Sequence, residues 1–193
     1  MPIGQLKKPA AFLDRDGTII RQVELLHHPK QVRILPGAAH AIRLLNEAKL
    51  FIVVVTNQPV VARGISTPEE VQNVHSLISR RLKRQRAHID AFYFCPHHPN
   101  ATIEAYRQVC ECRKPGPGMI LRAALEHNLD IRRSVMIGDT TQDVLAGNLA
   151  GVSTILVKTG HGGRDPWRYD CRPDFTASDL LQAANLWLGK SRS

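Results

Sequence analysis

The sequence predicts a three-layer α/β/α architecture around a mainly parallel sheet. Two observations point to it. Short apolar or β-branched runs alternate with helical patterns along the chain, and three of those runs finish in a polar group, at Asp14, Thr56-Asn57-Gln58 and Gly138-Asp139. Alternating strands and helices read as βαβ units, which place helices on both faces of parallel strands. In such sheets ligands bind outside the carboxyl ends of the strands, so the polar endings are expected to share one crevice.

The elements follow in order. Residues 10–13 form a short apolar strand, and Pro36-Gly37 opens a helical pattern through Ala38, Ile42, Leu44, Leu45 and Ala48. The run LFIVVV at 50–55 reads as a strand buried on both faces. Thr67 is a candidate N-cap, with Pro68 at the first helical position and Glu70 closing a capping box; that helix extends to about Arg86. A third strand spans 91–94, and a loop rich in Cys, His and Pro follows up to Pro117. The pattern continues with a helix at 119–128, a strand at 134–137, a helix at 141–150 closed by Gly151, and a strand at 154–157. A Gly, Arg and Pro-rich loop at 158–173 precedes a closing amphipathic helix at 179–188 and a short Lys/Arg/Ser end.

At 193 residues and 43% hydrophobic, the chain fits one domain, 1–193, with a real core. No apolar run reaches the length of a membrane helix, and no signal-peptide core precedes the first strand, so a cytoplasmic location and no membrane partner are expected. The net charge of +9 favours anionic partners. Much of the excess lies in RRLKRQR, 80–86, on the polar side of a helix whose apolar residues are Val71, Val74, Leu77, Ile78 and Leu82. No aromatic residues interleave with that run to stack on bases, so it reads as a solvated face, and nucleic acid is not an expected partner.

The stretch AAFLDRDGTII poses a charge problem, because Asp14 and Asp16 close an apolar strand one residue apart. Alternation on an extended segment sets both on one side with Arg15 turned away. Paired carboxylates repel unless a cation, a shared proton or water relieves them. A plain Asp-Gly turn is the alternative for this fragment alone. Four cysteines, Cys95, Cys110, Cys112 and Cys171, in a chain without a secretory signal suggest metal binding or burial rather than disulfides. Cys95, Cys110 and Cys112 with His97 or His98 make a Cys3His set suited to tetrahedral zinc, and Cys171 reads as a plain loop cysteine. Cys112 lies two residues before Lys114, so a closed metal site would fix the loop that presents Arg113 and Lys114.

Four motifs in order, Asp-x-Asp-Gly-Thr at 14–18, Thr56 at a strand end, Lys114-Pro115, and Gly138-Asp139-x-x-x-Asp143, resemble the haloacid dehalogenase superfamily of phosphotransferases. The resemblance implies a Rossmann-like fold and Asp14 as a nucleophile that forms an aspartyl-phosphate. It implies Asp16 as general acid then base, and Thr56 and Lys114 as holders of the phosphoryl oxygens. Catalytic Mg2+ would sit on Asp14, the backbone carbonyl of Asp16 and Asp139, with Asp143 in support, since hard oxygen ligands suit that ion. Asp143 also reads as a first-turn acid that favours the helix dipole.

The strings YFCPHHP and RQVCECRKPGPGM are similar to the D-glycero-D-manno-heptose-1,7-bisphosphate 7-phosphatase family, related to the histidinol-phosphate phosphatases. That likeness implies a capless fold with an inserted zinc loop at about 95–112, structural Zn2+ on Cys95, His97, Cys110 and Cys112, and a small phosphorylated sugar as substrate. It implies substrate contacts from Arg113, Asn57, Gln58 and Arg63, and a monomer is expected. The chain departs from the family pattern at Ile19 to Leu25, at Pro59-Val60 and at Thr140. Those positions bear on substrate identity rather than on the chemistry. Other readings are a histidinol-phosphate phosphatase, a nucleic-acid 3′-phosphatase, and a basic interaction module without turnover.

Overall fold

The computed structural model describes residues 6–166 and 168–190; the Arg/Ser end at 191–193 lies outside the described residues. Six strands, β1 (Ala10–Leu13), β2 (Phe51–Asn57), β3 (Ala91–Cys95), β4 (Val135–Gly138), β5 (Ser153–Val157) and β6 (Phe175–Ala177), form one sheet in the order β3-β2-β1-β4-β5-β6. Every neighbouring pair is parallel. Strand order reverses direction between β1 and β4, which is where a doubly wound sheet opens its ligand crevice.

Side-chain alternation explains the three layers. In β1, Ala11 and Leu13 face one core while Ala10 and Phe12 face the other; in β2, Ile52 and Val54 oppose Val53 and Val55 in the same way. The first core is covered by α1 (Ala38–Glu47), α3 (Pro68–Lys83) and α6 (Leu180–Lys190), and the second by α4 (Gly118–Glu126) and α5 (Thr141–Ala150). The central strands are wholly buried, as continuous apolar runs require of a sheet covered on both faces. No described helix is long and apolar enough to cross a membrane.

The expected elements are present with ends displaced by a few residues. The capping box that starts α3 is formed, with Glu70 N–H on Thr67 Oγ1 at 3.2 Å and Thr67 N–H on the Glu70 carboxylate at 2.9 Å. Residues 80–86 are solvent-facing apart from the buried Leu82 and the half-buried Arg81, whose guanidinium donates to the Val32 carbonyl at 2.6 Å. Among the described strands and α-helices, two were not anticipated. The three-residue β6 is too short to show alternation. The short helix α2 (Pro59–Ala62) begins where the chain departs from the family pattern; Pro59 occupies its first turn, where no intrahelical donor is needed. Val60 and Val61 pack on Val71, so the valine is a core residue of its own small cluster.

Candidate active site

The carboxyl ends of β1, β2 and β4 carry the site. The Asp14 N–H donates to the Ile137 carbonyl at 2.9 Å, tying the end of β1 to that of β4. A cleft of ≈ 200 Å³ opens there, lined by Asp14, Asp16, Thr56, Asn57, Gln58, Arg113, Lys114 and Asp139, with Gln22, Val23, Glu24, Pro59, Val60, Thr140, Gln142 and His161 among its walls. The sequence-predicted acids, the cation and three of the four predicted substrate contacts therefore meet. Arg63 does not: it is exposed at the C-cap of α2 and does not line the cleft.

Lys114 is the hub. Its buried ammonium donates to Asp14 Oδ1 at 2.5 Å, Asp143 Oδ1 at 2.6 Å and the Val55 carbonyl at 2.8 Å. Burial works against its charge, but the two carboxylates outweigh it and hold its pKa above the usual lysine value. The main chain of Lys114 is clamped by Asn57, whose Nδ2 donates to its carbonyl at 2.9 Å and whose Oδ1 accepts its N–H at 3.0 Å. Asn57 thus orients the lysine as well as facing the cleft.

Asp143 is the first-turn acid anticipated for α5, and it also pairs with Lys114. Its Oδ2 accepts the Thr140 N–H at 3.0 Å and hydroxyl at 2.6 Å, closing the capping box of α5, while Oδ1 takes Lys114. Asp139 is fully buried; its Oδ2 accepts the His161 N–H at 2.7 Å, and its Oδ1 has no hydrogen-bond partner. The chain passes so close that a side chain at Gly17, whose φ is +81°, would meet that Oδ2 at 2.4 Å, and one at Gly160 would meet it at 2.1 Å. Asp14, Asp139 and Asp143 bring carboxylate oxygens within 4.8 Å of one another. Burial, then the neighbouring carboxylates, raise Asp14 to about 7 against the pull of Lys114, and burial with Asp14 and Asp143 raises Asp139 to about 9.

These charges test the fit of a metal. With all three carboxyls ionised against one ammonium, two negative charges would remain, the charge of one divalent cation; burial instead favours the protonated forms of Asp14 and Asp139 until such an ion binds. The unpartnered Asp139 Oδ1 and the mutual repulsion are what a hard cation would relieve. Both Asp143 oxygens are already engaged, so the donors left for an ion are Asp14 and Asp139.

The second cluster is local. Cys95, His97, Cys110 and Cys112 place their ligand atoms within 4.8 Å of one another, with sulfur–sulfur distances of 3.5 Å (Cys95–Cys110), 3.3 Å (Cys110–Cys112) and 3.1 Å (Cys95–Cys112). His97 Nδ1 lies 3.7 Å from Cys95 Sγ and 3.4 Å from Cys112 Sγ, completing four mutually adjacent donors. None of the thiols is in a disulfide, and burial pushes the Cys95 and Cys112 thiols above the usual range. Such a set is compatible with zinc, whose charge would stabilise the thiolates. His98 is outside the cluster; its Nδ1 accepts the Asn100 N–H at 3.0 Å. Arg113 Nη1 donates to the His97 carbonyl at 3.1 Å, so the thiol loop and the cleft are physically joined.

Sequence reasoning missed Arg15, His75, Gln142, His161 and Asp165. Gln142 Oε1 accepts from Asn57 at 3.2 Å. Buried Asp165 accepts the Thr141 N–H at 2.8 Å and hydroxyl at 2.7 Å, anchoring the loop after β5 to the start of α5. The Arg15 expectation is corrected. It lines the same cleft as Asp14 and Asp16, buried and ion-paired with Asp16 at 2.8 Å, because the strand ends at Leu13 and alternation no longer governs the next residues.

The fold is that of HAD-like hydrolases, and a family model of that description matches residues 111–183. A D-glycero-beta-D-manno-heptose-1,7-bisphosphate 7-phosphatase of Rhodopseudomonas palustris is 45% identical over 146 residues, 76% of this chain and 81% of that protein. The Escherichia coli protein of the same name is 40% identical over 153 residues, covering 79% of this chain and 80% of its own. The chain belongs to the D-glycero-beta-D-manno-heptose-1,7-bisphosphate 7-phosphatase family. Among solved structures, the D,D-heptose 1,7-bisphosphate phosphatase of B. bronchiseptica, complexed with magnesium and phosphate, superposes with a TM-score of 0.83 at 29% identity, over 94% of this chain and 99% of that one.

Proposed function

We propose that this chain removes the 7-phosphate of D-glycero-β-D-manno-heptose 1,7-bisphosphate, with Asp14 as nucleophile. The observation that carries the reading is the convergence of Asp14, Lys114 and Asp139 at the β1/β4 switch point. A carboxylate of Asp14 attacks phosphorus, an Asp14 oxygen–phosphorus bond forms, and the bond from phosphorus to the sugar oxygen breaks. Asp16 gives its proton to the departing sugar oxygen. It then takes a proton from the water that attacks the acyl phosphate, releasing orthophosphate and restoring Asp14. Lys114 would exchange one of its three present partners for a phosphoryl oxygen, the Thr56 hydroxyl would donate to another, and Arg113, fixed on the His97 carbonyl and lining the cleft, would meet the sugar. Mg2+ on Asp14, Asp139 and the Asp16 carbonyl would supply positive charge to the transferring phosphoryl group. Zn2+ on Cys95, His97, Cys110 and Cys112 would fix the loop that precedes Arg113 and Lys114.

A substrate panel with Mg2+ tests the proposal: the heptose bisphosphate, histidinol phosphate, a 3′-phosphorylated oligonucleotide and p-nitrophenyl phosphate. The heptose bisphosphate is expected to exceed p-nitrophenyl phosphate in kcat/KM by about a hundredfold or more, because remote binding energy is used in the transition state. Parity between those two would sink the sugar assignment. Asp14→Asn is expected to abolish turnover and phosphate labelling of the protein; a label that persists in the variant removes Asp14 from its role.

A further inference from the structure

Behind Asp16 stand two buried side chains that the steps above do not use, Arg15 and His75. Arg15 is 1% exposed and His75 5%. The guanidinium is engaged on three sides. Nε and Nη2 approach Asp16 Oδ2 at 3.0 and 2.8 Å, Nη2 donates to Gln58 Oε1 at 2.7 Å, and Nη1 lies 3.2 Å from His75 Nε2. Gln58 Nε2 adds a third donor to Asp16 Oδ2 at 3.1 Å. One oxygen of Asp16 is therefore saturated, while the other, Oδ1, is buried with no hydrogen-bond partner.

A guanidinium only donates, so His75 Nε2 must accept and the ring proton must sit on Nδ1. The surroundings favour that neutral ring. His75 stacks on Phe92 with centroids 4.6 Å apart and meets Phe94 edge-on at 5.8 Å. Burial, then the charge of Arg15, push its pKa down to about 3. A histidine facing an arginine is otherwise an unfavourable neighbour, and this one is kept as an acceptor.

We infer that His75 is a positioning residue for the acid–base step: by accepting from Arg15 it fixes the guanidinium that pins Asp16 Oδ2, which leaves Oδ1 as the oxygen that delivers the proton. The inference rests on the proposed role of Asp16 as the acid. The proton moves from Oδ1 to the sugar oxygen as the phosphorus–oxygen bond breaks, and Arg15 and Gln58 stop the carboxyl from rotating while it does so. No other side chain is needed for the balance.

The dependence on leaving group separates this role from a structural one. A sugar alkoxide is a poor leaving group and needs the proton, whereas p-nitrophenolate leaves without it. His75→Phe keeps the stack and removes the acceptor; His75→Gln restores an acceptor. With His75→Phe, kcat/KM for the sugar phosphate is expected to fall about tenfold to a hundredfold, while that for p-nitrophenyl phosphate changes by less than about threefold. His75→Gln recovers most of the loss. Equal loss on both substrates, or no loss on either, overturns the inference. Asp16→Asn distinguishes the two levels. If it is selective against the sugar phosphate and His75→Phe is not, the inference fails alone; if Asp16→Asn is itself unselective, the acid assignment and the inference fall together. Should His75→Phe fail to fold, His75→Leu carries the same comparison.

Discussion

The cleft and the thiol loop are both candidate metal sites, yet they are held in opposite ways. The cleft draws its groups from β1, β2, β4, α5 and the segment before α4, and Lys114 ties Asp14 to Asp143 across it. The thiol loop draws its ligands from 95–112 alone, four donors adjacent to one another at the edge of the second core. The first is assembled by the fold; the second gathers its donors from one stretch of chain, which a bound ion would hold closed. Damage should therefore spread through the cleft and stay confined in the loop.

Lys114→Met breaks the comparison hardest. It leaves Asp14, Asp139 and Asp143 buried without their ammonium, a change that costs about 3–5 kcal/mol when one partner of a buried pair is removed. Activity is expected to fall about a thousandfold, and thermal unfolding should drop sharply in metal-free buffer and recover partly with Mg2+. Cys110→Ser should act more locally. Loss of a zinc ligand is expected to lower activity about tenfold to a hundredfold through the Arg113–His97 and Lys114 connections. Zinc content measured by mass spectrometry should fall with it, while Mg2+ affinity stays within about twofold. A loss of Mg2+ affinity as large as that of Lys114→Met would erase the distinction between the two regions.

The same distinction governs what the sequence discloses. The thiol loop is legible because its ligands are close neighbours whose chemistry admits few readings. The strands are legible because Val and Ile runs such as 51–55 need cover on both faces. Asp14, Thr56, Lys114 and Asp139 are legible as strand-end and loop motifs. What holds them is not. Asn57 reads as a substrate contact, and nothing in its spacing discloses that its amide also clamps the Lys114 main chain; Asp165 reads as one acid in a polar loop until it is seen to accept from the first turn of α5. His75 sits at an apolar helical spacing beside Val71, Val74 and Ile78, where pattern alone says core. Such partners are set by long-range pairing, which periodicity and spacing do not encode. Arg15 shows the converse failure: strand alternation does not extend over residues 14–16, because the strand stops at Leu13.

Asn57 bridges the two regions, and a milder cut there sharpens the contrast. Asn57→Ala strands the Lys114 N–H and carbonyl, a loss of about 1–3 kcal/mol if no water replaces the amide. About a tenfold fall in kcat with KM unchanged is expected of a residue that orients the lysine. A raised KM at constant kcat would instead mark Asn57 as a direct substrate contact.

The smallest expected effect separates the regions by pH. His75 has an ordinary pKa of 6.5 that folding lowers to about 3. Between those values the unfolded chain binds the extra proton and the native protein does not, so stability rises with pH across the window and is lost as pH falls below 6.5. The loss is about 1.4 kcal/mol for each pH unit well inside the window, and less near its upper edge. The thiol loop also weakens in acid, because protons compete with zinc for its ligands. The two contributions part in a pair of variants. His75→Gln should flatten the fall in melting temperature between pH 6.5 and 5 while zinc release keeps its wild-type pH profile. An unchanged slope in His75→Gln would mean that the acid sensitivity originates in the loop, and that the buried ring contributes none of it.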